Sequence, residues 1–242
     1  MELPELAIPS YKRSTTISEK TLKFLSDVQY PAEKITIFVA DEEEAQRYYH
    51  AVPKRLYGRL IVGLPGLMEQ RNFITKTYPE DSILVCMDDD IQKIDIPVGN
   101  FLDLIRHAAT AIGTCQTGLW GILPNDDGRR YDNKTTTHLT FIIGCFYVCR
   151  VHHDILCTFG EKDDVERSIL YFKKYGAVHR YRGAGVVTKY TGNAGGLQEP
   201  GRLDRMRDGA KNIQERYPGF VRRYTRKGRD EIMLKWRAKI DW

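Results

Sequence analysis

The chain has 242 residues, 42% hydrophobic and 29% charged, with 37 Lys and Arg against 32 Asp and Glu. That length buries a core in one large domain, and a mean hydropathy of −0.45 with no apolar run of membrane-spanning length argues against a membrane class. Met1-Glu2-Leu3-Pro4-Glu5 has neither a basic region nor a long apolar stretch, so a cytoplasmic chain is expected.

The cysteines Cys86, Cys115, Cys145, Cys149 and Cys157 are odd in number and include no CxxC pair, which favours reduced core thiols over a zinc site or a disulfide frame. Net charge is +5 and unevenly placed: residues 202–242 hold 13 Lys and Arg against 6 acids, while residues 1–201 hold 24 against 26. A polyanionic partner for the carboxy-terminal segment follows, as does the simpler reading of a solvated helical tail.

In chain order, Leu6-Ala7-Ile8 reads as a first strand, and Ile17, Thr21, Leu22, Leu25 and Val28 follow at helical spacing. Ile35-Thr36-Ile37-Phe38-Val39 is a second strand. Asp41 with Glu44 opens a helix that runs to about Ala51. Leu60-Ile61-Val62 is a third strand, and Gly63-Leu64-Pro65-Gly66 turns into a helix from Leu67 to Tyr78. The apolar run Ile83-Leu84-Val85-Cys86-Met87 then ends at Asp88-Asp89-Asp90. Beyond it, Phe101 to Ile112 shows helical periodicity, Thr140 to Val148 reads as a long strand interrupted by Gly144, and Val165 to Tyr175 as a helix. Strands alternating with helices predict a single α/β domain over residues 1–200 with a mostly parallel mixed sheet flanked by helices. A basic helical extension, residues 201–242, packs on it.

The acidic triplet carries the most chemistry. At a strand end, residues i and i+2 share a face, so Asp88 and Asp90 converge; adjacent anions repel, and a divalent cation neutralises them. A second acidic group, Gly160-Glu161-Lys162-Asp163-Asp164, opens the last helix of the domain. Acids there also suit helix capping and the helix dipole without any catalytic role.

The ordered set of these features resembles the GT-A nucleotide-sugar glycosyltransferases. The resemblance implies that Ile8-Pro9-Ser10-Tyr11-Lys12-Arg13 is the nucleotide loop, with Pro9 and Ser10 at the nucleotide and Lys12 or Arg13 facing a diphosphate. It implies that Asp41 contacts the base and that Gln70-Arg71-Asn72 faces the nucleoside. Asp88-Asp89-Asp90 matches the DxD motif: Asp88 reaches the ribose or the metal, Asp89 lies with the donor contacts, and Asp90 binds Mn²⁺ or Mg²⁺. Asp164 matches the base of inverting members, with Asp163 beside it. Many members place a late His on the metal. Here Lys189-Tyr190-Thr191-Gly192 occupies that place, so Lys189 is the candidate for neutralising the leaving diphosphate. His152-His153 is a further candidate ligand pair, although a polar strand end explains it too.

Within that superfamily, the nucleotide loop, the Gly63-Leu64-Pro65-Gly66 turn and Cys86-Met87-Asp88-Asp89-Asp90-Ile91 are similar to phage and viral DNA glycosyltransferases found beside TET/JBP dioxygenases. The resemblance covers roughly residues 5–200 and implies a UDP-sugar donor, a 5-hydroxymethylpyrimidine acceptor in DNA and, for a phage-encoded chain, the host cytoplasm. Arg222, Arg223, Arg226, Lys227 and Arg229, with Tyr217, Phe220 and Tyr224 interleaved, suit phosphate tracking and base stacking. Trp236 is expected to dock on the core, with Trp242 as further stacking surface. Three other readings fit part of the pattern: a glycosyltransferase for protein or glycan, a nucleotidyltransferase, and a non-catalytic DNA-binding module.

Overall fold

The computed structural model describes residues 2–114, 116–188, 202–226 and 229–240. Cys115, Lys189, the loop 192–196, Lys227 and Trp242 lie outside them. Strands β1 (Glu5–Pro9), β2 (Ile35–Val39), β3 (Arg59–Val62), β4 (Ile83–Met87), β5 (Lys93–Asp95), β6 (Leu119–Leu123), β7 (Thr135–Thr136), β8 (Phe146–Arg150) and β9 (His179–Val187) form one mixed sheet. Its order is β3-β2-β1-β4-β8-β6-β9-β5, with β7 added against β9. The pairs β3/β2, β2/β1, β1/β4 and β6/β9 are parallel, whereas β8 runs against both β4 and β6.

The central parallel strand β2 is buried at every residue because both faces of the sheet are covered there. The period of two sends Leu6 and Ile8 to one core layer and Ala7 to the other. Helices α1 (Ser14–Ile17) and α2 (Lys23–Asp27), joined by a π-helical segment Ser18–Leu22, contribute to the first layer with α3 (Glu42–Ala51) and α5 (Phe101–Gly113). Helices α4 (Leu67–Thr77) and α6 (Asp163–Tyr175) contribute to the second. The α/β architecture with a mixed sheet flanked by helices is therefore as expected.

Four local expectations fail. The strand read over Thr140–Val148 forms only from Phe146 to Arg150, because the carbonyl of Gly144 accepts from Arg71 Nη2 at 2.8 Å and leaves the ladder. Among the described residues, the carboxy-terminal segment is helical only in α7 (Arg202–Arg216); Val221–Arg226 (β10) and Arg229–Leu234 (β11) then form an antiparallel hairpin. Tyr217 and Phe220, read as stacking surface, turn inward instead. Tyr217 is buried and its hydroxyl donates to Glu166 at 2.9 Å, and Phe220 lies edge-on to Phe172 at 6.3 Å. Trp236, expected to dock on the core, is 56% exposed. Cys86, Cys145, Cys149 and Cys157 are buried free thiols. Among the described residues no helix is long and apolar enough to cross a membrane.

Candidate active site

The chain runs from β1 to β2 on one side and later reaches β4 on the other, so the sheet has a switch point between the carboxyl ends of β1 and β4. Neighbouring connections diverge there and leave a crevice, the usual ligand position in open α/β sheets. Ser10 leaves β1 at this edge, and Asp88 leaves β4. The antiparallel β8 begins here, and Asp88 N donates to Cys145 O at 2.9 Å, which fixes the base of the triplet.

The three aspartates take different partners. Asp89 turns inward: its Oδ2 accepts from Ser10 Oγ at 2.6 Å and its Oδ1 from Arg13 Nη1 at 2.9 Å, with the side chain only 5% exposed. Burial, only partly offset by Arg13 and Ser10, pushes its carboxyl up to about 6. Asp89, expected among the donor contacts, is thus the peg that locks β1 to β4. Asp88 and Asp90 are more open, at 27% and 13% side-chain exposure. Asp88 Oδ1 accepts from Arg71 Nη2 at 2.7 Å, while its Oδ2 has no hydrogen-bond partner among the described residues. Burial raises the Asp88 carboxyl above the ordinary range despite Arg71, as two acids on one edge must. Asp90 meets Arg13 Nη1 at 3.2 Å and Thr188 Oγ1 at 3.2 Å.

The backbone of the triplet is held by Thr21, which sequence reading placed in the apolar stripe of the first helix. Its hydroxyl donates to Asp88 O at 2.8 Å and accepts from Ile91 N at 2.9 Å. The signal was a lone Thr among Ile17, Leu22 and Leu25, and the π-helical turn that carries it is a frequent mark of a functional position.

In the loop after β1, Lys12 adopts φ +54°, a left-handed conformation unusual for a side-chain-bearing residue. Its amide donates to Glu44 Oε2 at 2.6 Å, and the turn brings Arg13 back onto the triplet. Of the two cations expected at a diphosphate, only Arg13 reaches the acids. The Lys12 ammonium lies over the Tyr11 ring at 4.8 Å. Pro9 is buried at the end of β1, paired with Phe38. Asp41 stands exposed beyond β2 and caps α3, accepting from Glu44 N at 2.8 Å.

Gln70, Arg71 and Asn72 divide their work. Gln70 is buried and braces the edge, donating to Val39 O at 2.9 Å and accepting from Leu64 N at 2.8 Å. Asn72 makes a paired contact with the Cys157 backbone at 2.8 and 3.0 Å. These two side chains hold backbone, not a face turned to a nucleoside. Arg71 is the hinge of the site. It is 8% exposed and spans Asp88 Oδ1, Gly144 O and Asp163 Oδ2, the last at 2.6 Å. It therefore ties the triplet to the start of α6.

There the two acids separate by role. Asp163 is buried, and Arg71 and Arg167 both bond its Oδ2, at 2.6 and 2.5 Å. Burial alone would push its carboxyl up, but the two guanidiniums hold it below the ordinary aspartate value. Asp164 receives only Val165 N, at 2.8 Å on Oδ1; its Oδ2 has no partner among the described residues. Burial and the neighbouring Asp163 push the Asp164 carboxyl up to about 6. A fixed anion thus sits beside a carboxylate with a free oxygen and raised basicity. The close approach needs Gly144: a Cβ there would lie 2.9 Å from Arg71 Nη1 and 3.3 Å from Asp164 Cβ.

The GT-A glycosyltransferases share this fold. The chain aligns with the structure of glucosyl-3-phosphoglycerate synthase from Mycobacterium tuberculosis bound to Mn²⁺, uridine diphosphate and glucosyl-3-phosphoglycerate. The TM-score is 0.52 at 12% identity, covering 96% of this chain and 86% of that one. It aligns with mannosyl-3-phosphoglycerate synthase from Rubrobacter xylanophilus at a TM-score of 0.53 and 10% identity, covering 96% and 84%. With the mannosyltransferase PcManGT from Pyrobaculum calidifontis, in complex with GDP-Man and Mn²⁺, the TM-score is 0.51 at 14% identity, covering 90% and 64%. No protein-family model matches the sequence, nor does any curated protein.

The remaining candidates lie apart. Glu80, Asp81 and His152 converge at the opposite edge, where β4 starts and β8 ends. Both His152 nitrogens are engaged, Nδ1 with Glu80 at 2.7 Å and Nε2 with the Tyr175 hydroxyl at 2.6 Å, and His153 Nε2 meets Tyr78 O at 2.9 Å. A polar strand end accounts for this pair. Arg222 and Arg223 are exposed on β10, where strand alternation sends them to opposite faces; Arg226 pairs in register with Arg229 across the hairpin. Lys189 and Lys227 fall outside the described residues.

Proposed function

We propose that the chain is a divalent-metal-assisted glycosyltransferase that moves a sugar from a UDP-sugar to the hydroxymethyl group of a 5-hydroxymethylpyrimidine in DNA. The observation that carries the transferase reading is the Arg71 bridge, which sets an acidic triplet at the switch point next to a carboxylate of raised basicity. The fold shared with Mn²⁺- and nucleotide-bound sugar transferases supports it. The DNA acceptor draws on the surplus of 13 basic over 6 acidic residues in 202–242, on the exposed Arg222 and Arg223, and on the sequence resemblance described above.

The donor set fits a hard cation. Asp88 and Asp90 offer carboxylate oxygens only, the chemistry of Mg²⁺ and Mn²⁺ rather than of a soft metal. Held by Asp90 and Asp88, such an ion would neutralise charge on the leaving diphosphate. Asp164 Oδ2 accepts the proton of the acceptor hydroxyl as its oxygen bonds to the anomeric carbon, and the bond from that carbon to the diphosphate breaks on the opposite face. Configuration is thereby inverted. Arg13, next to Asp90, is the cation available to the diphosphate, with Lys189 proposed as a second. Ser10, Asp89, Gln70 and Asn72 keep the edge rigid, while Lys12 and Asp41 stay at its rim.

The test incubates purified protein with Mn²⁺, a panel of UDP-sugars and DNA with or without 5-hydroxymethylcytosine or 5-hydroxymethyluracil, and reads nucleoside masses. A hexose added only to a hydroxymethylated base is expected. Sugar transfer to protein or glycan with unmodified nucleoside masses would contradict the DNA acceptor.

A further inference from the structure

Beside α6 lies a cavity of about 300 Å³, walled by His138, Phe141, Val165, Arg180, Tyr224 and Trp236. It lies between the body of the domain and the β10–β11 hairpin, and its wall residue Val165 directly follows Asp164. Its volume is at the small end of ligand sites, room for one nucleotide rather than a duplex.

Its chemistry is uneven. Trp236 is 56% exposed, its ring 5.8 Å from that of His138 and covered in part by the Arg237 guanidinium at 4.2 Å, so a partly open aromatic surface lines the cavity. Arg180 supplies the charge. Its Nη1 donates to Phe141 O at 3.2 Å and its Nε is buried without a partner. Among the described residues no carboxylate pairs with it, whereas Arg182 bonds Asp132 at 2.9 Å and Arg130 meets Asp127 at 3.4 Å. Burial, with Arg182 and Arg130 nearby, lowers the proton affinity of this guanidinium, and burial with Arg180 nearby keeps His138 below the usual histidine value. A half-buried cation without a counter-ion is costly, and an anionic ligand group offsets that cost with charge-assisted hydrogen bonds.

We propose that this cavity receives one nucleotide unit of the acceptor, its base against Trp236 and its phosphate on Arg180, which presents the substituent of the base to Asp164. The proposal rests on the transferase reading above for its catalytic meaning, but not for the binding itself. For a DNA acceptor it requires the modified nucleotide to leave the base stack.

Calorimetry on the full chain tests it with four probes: 5-hydroxymethyl-2′-deoxycytidine monophosphate, the corresponding nucleoside, 3-phosphoglycerate, and a single-stranded oligonucleotide containing the modified base. The monophosphate is expected to bind at least about 10-fold more tightly than the nucleoside, and 3-phosphoglycerate, which lacks a ring, at least about 5-fold more weakly than the monophosphate. Trp236→Ala should weaken monophosphate and nucleoside alike by at least about 5-fold. Arg180→Gln should abolish the difference between them. Both variants should melt no lower than the parent, Arg180→Gln somewhat higher because it removes an uncompensated buried charge, and both should keep the Mn²⁺-dependent UDP affinity of the parent. Oligonucleotide binding that responds to both variants identifies DNA as the source of the nucleotide; a response of the free monophosphate alone identifies the nucleotide pool. The proposal is overturned if 3-phosphoglycerate binds as well as the monophosphate, if neither substitution alters binding, or if no nucleotide binds. Nucleotide binding that meets these criteria in a protein that takes no UDP-sugar would refute the transferase reading and leave the cavity assigned.

Discussion

The two halves of the molecule around Arg71 are built by different means. At the switch-point edge, the strands β1, β2 and β4 deliver Ser10, Asp41 and Asp88-Asp89-Asp90 through their register in the sheet, and side chains such as Thr21 and Gln70 then brace the edge. At the start of α6, Gly144, Asp163 and Asp164 sit where a loop, a helix start and distant arginines meet, so side-chain pairing sets their positions. A strand edge tolerates change at its tip because the ladder persists. A constellation held by ion pairs loses its geometry when one partner goes.

Substitution can sharpen that contrast, beginning with the largest effect. Asp164→Asn should lower turnover by about 10²- to 10⁴-fold with the fold intact, read from initial rates at saturating donor. The folded carboxyl, raised to about 6, gains a proton as the pH falls through 6, so parent activity should drop below that pH and saturating Mn²⁺ should not restore it. The same raised value means that the fold disfavours ionised Asp164 at pH 7.5. The Asn variant should therefore melt above the parent there, the gap closing as the pH falls toward 4. A variant with parental turnover would remove Asp164 from the reaction.

Arg71→Met leaves Asp88 and Asp163 without a shared partner and should cost about 3–5 kcal/mol, a fall of about 6–20 °C in melting temperature. A loss under 1 kcal/mol would mean that the halves are held by something else. Gly144→Ala forces Arg71 or Asp164 to shift and should cost about 1–3 kcal/mol, with a larger fractional loss of turnover than of donor affinity in calorimetry. Smallest in stability is Arg222→Glu with Arg223→Glu, both exposed: melting should stay within about 0.5 kcal/mol and donor hydrolysis unchanged, while DNA affinity falls. Unchanged DNA affinity would take the hairpin out of acceptor binding.

The same contrast explains what could be read from residues alone. The switch-point edge was legible because an apolar run ending in Asp88-Asp89-Asp90 states strand and acid together, and helix spacing after Gly66 placed Gln70 to Asn72 correctly on α4. Their roles were not legible. Arg71 meets Asp163 across 92 positions, and no local pattern announces such a pair. Nor does periodicity tell that Asp89 alone of the three turns inward onto Ser10 and Arg13. In the second half, Thr140–Val148 has the composition of a strand, yet tertiary demand on the Gly144 carbonyl overrides propensity. Leu119–Leu123, a fully buried strand, is only five residues long and interrupted by Gly121, so it carried no signal strong enough to read. The hairpin of residues 221–234 was hidden by its charge, which suits a solvated helix equally well.

The central claim is that the acidic triplet anchors a nucleotide-sugar diphosphate through a divalent ion. Titration of UDP into the full chain by calorimetry, with and without Mn²⁺, tests it most directly in the parent and in Asp90→Ala. The account predicts Mn²⁺-dependent binding in the parent that Asp90→Ala weakens by two orders of magnitude or more, roughly the loss of a charge-assisted metal contact. Equal affinity in the two proteins, or UDP binding indifferent to Mn²⁺, would contradict it.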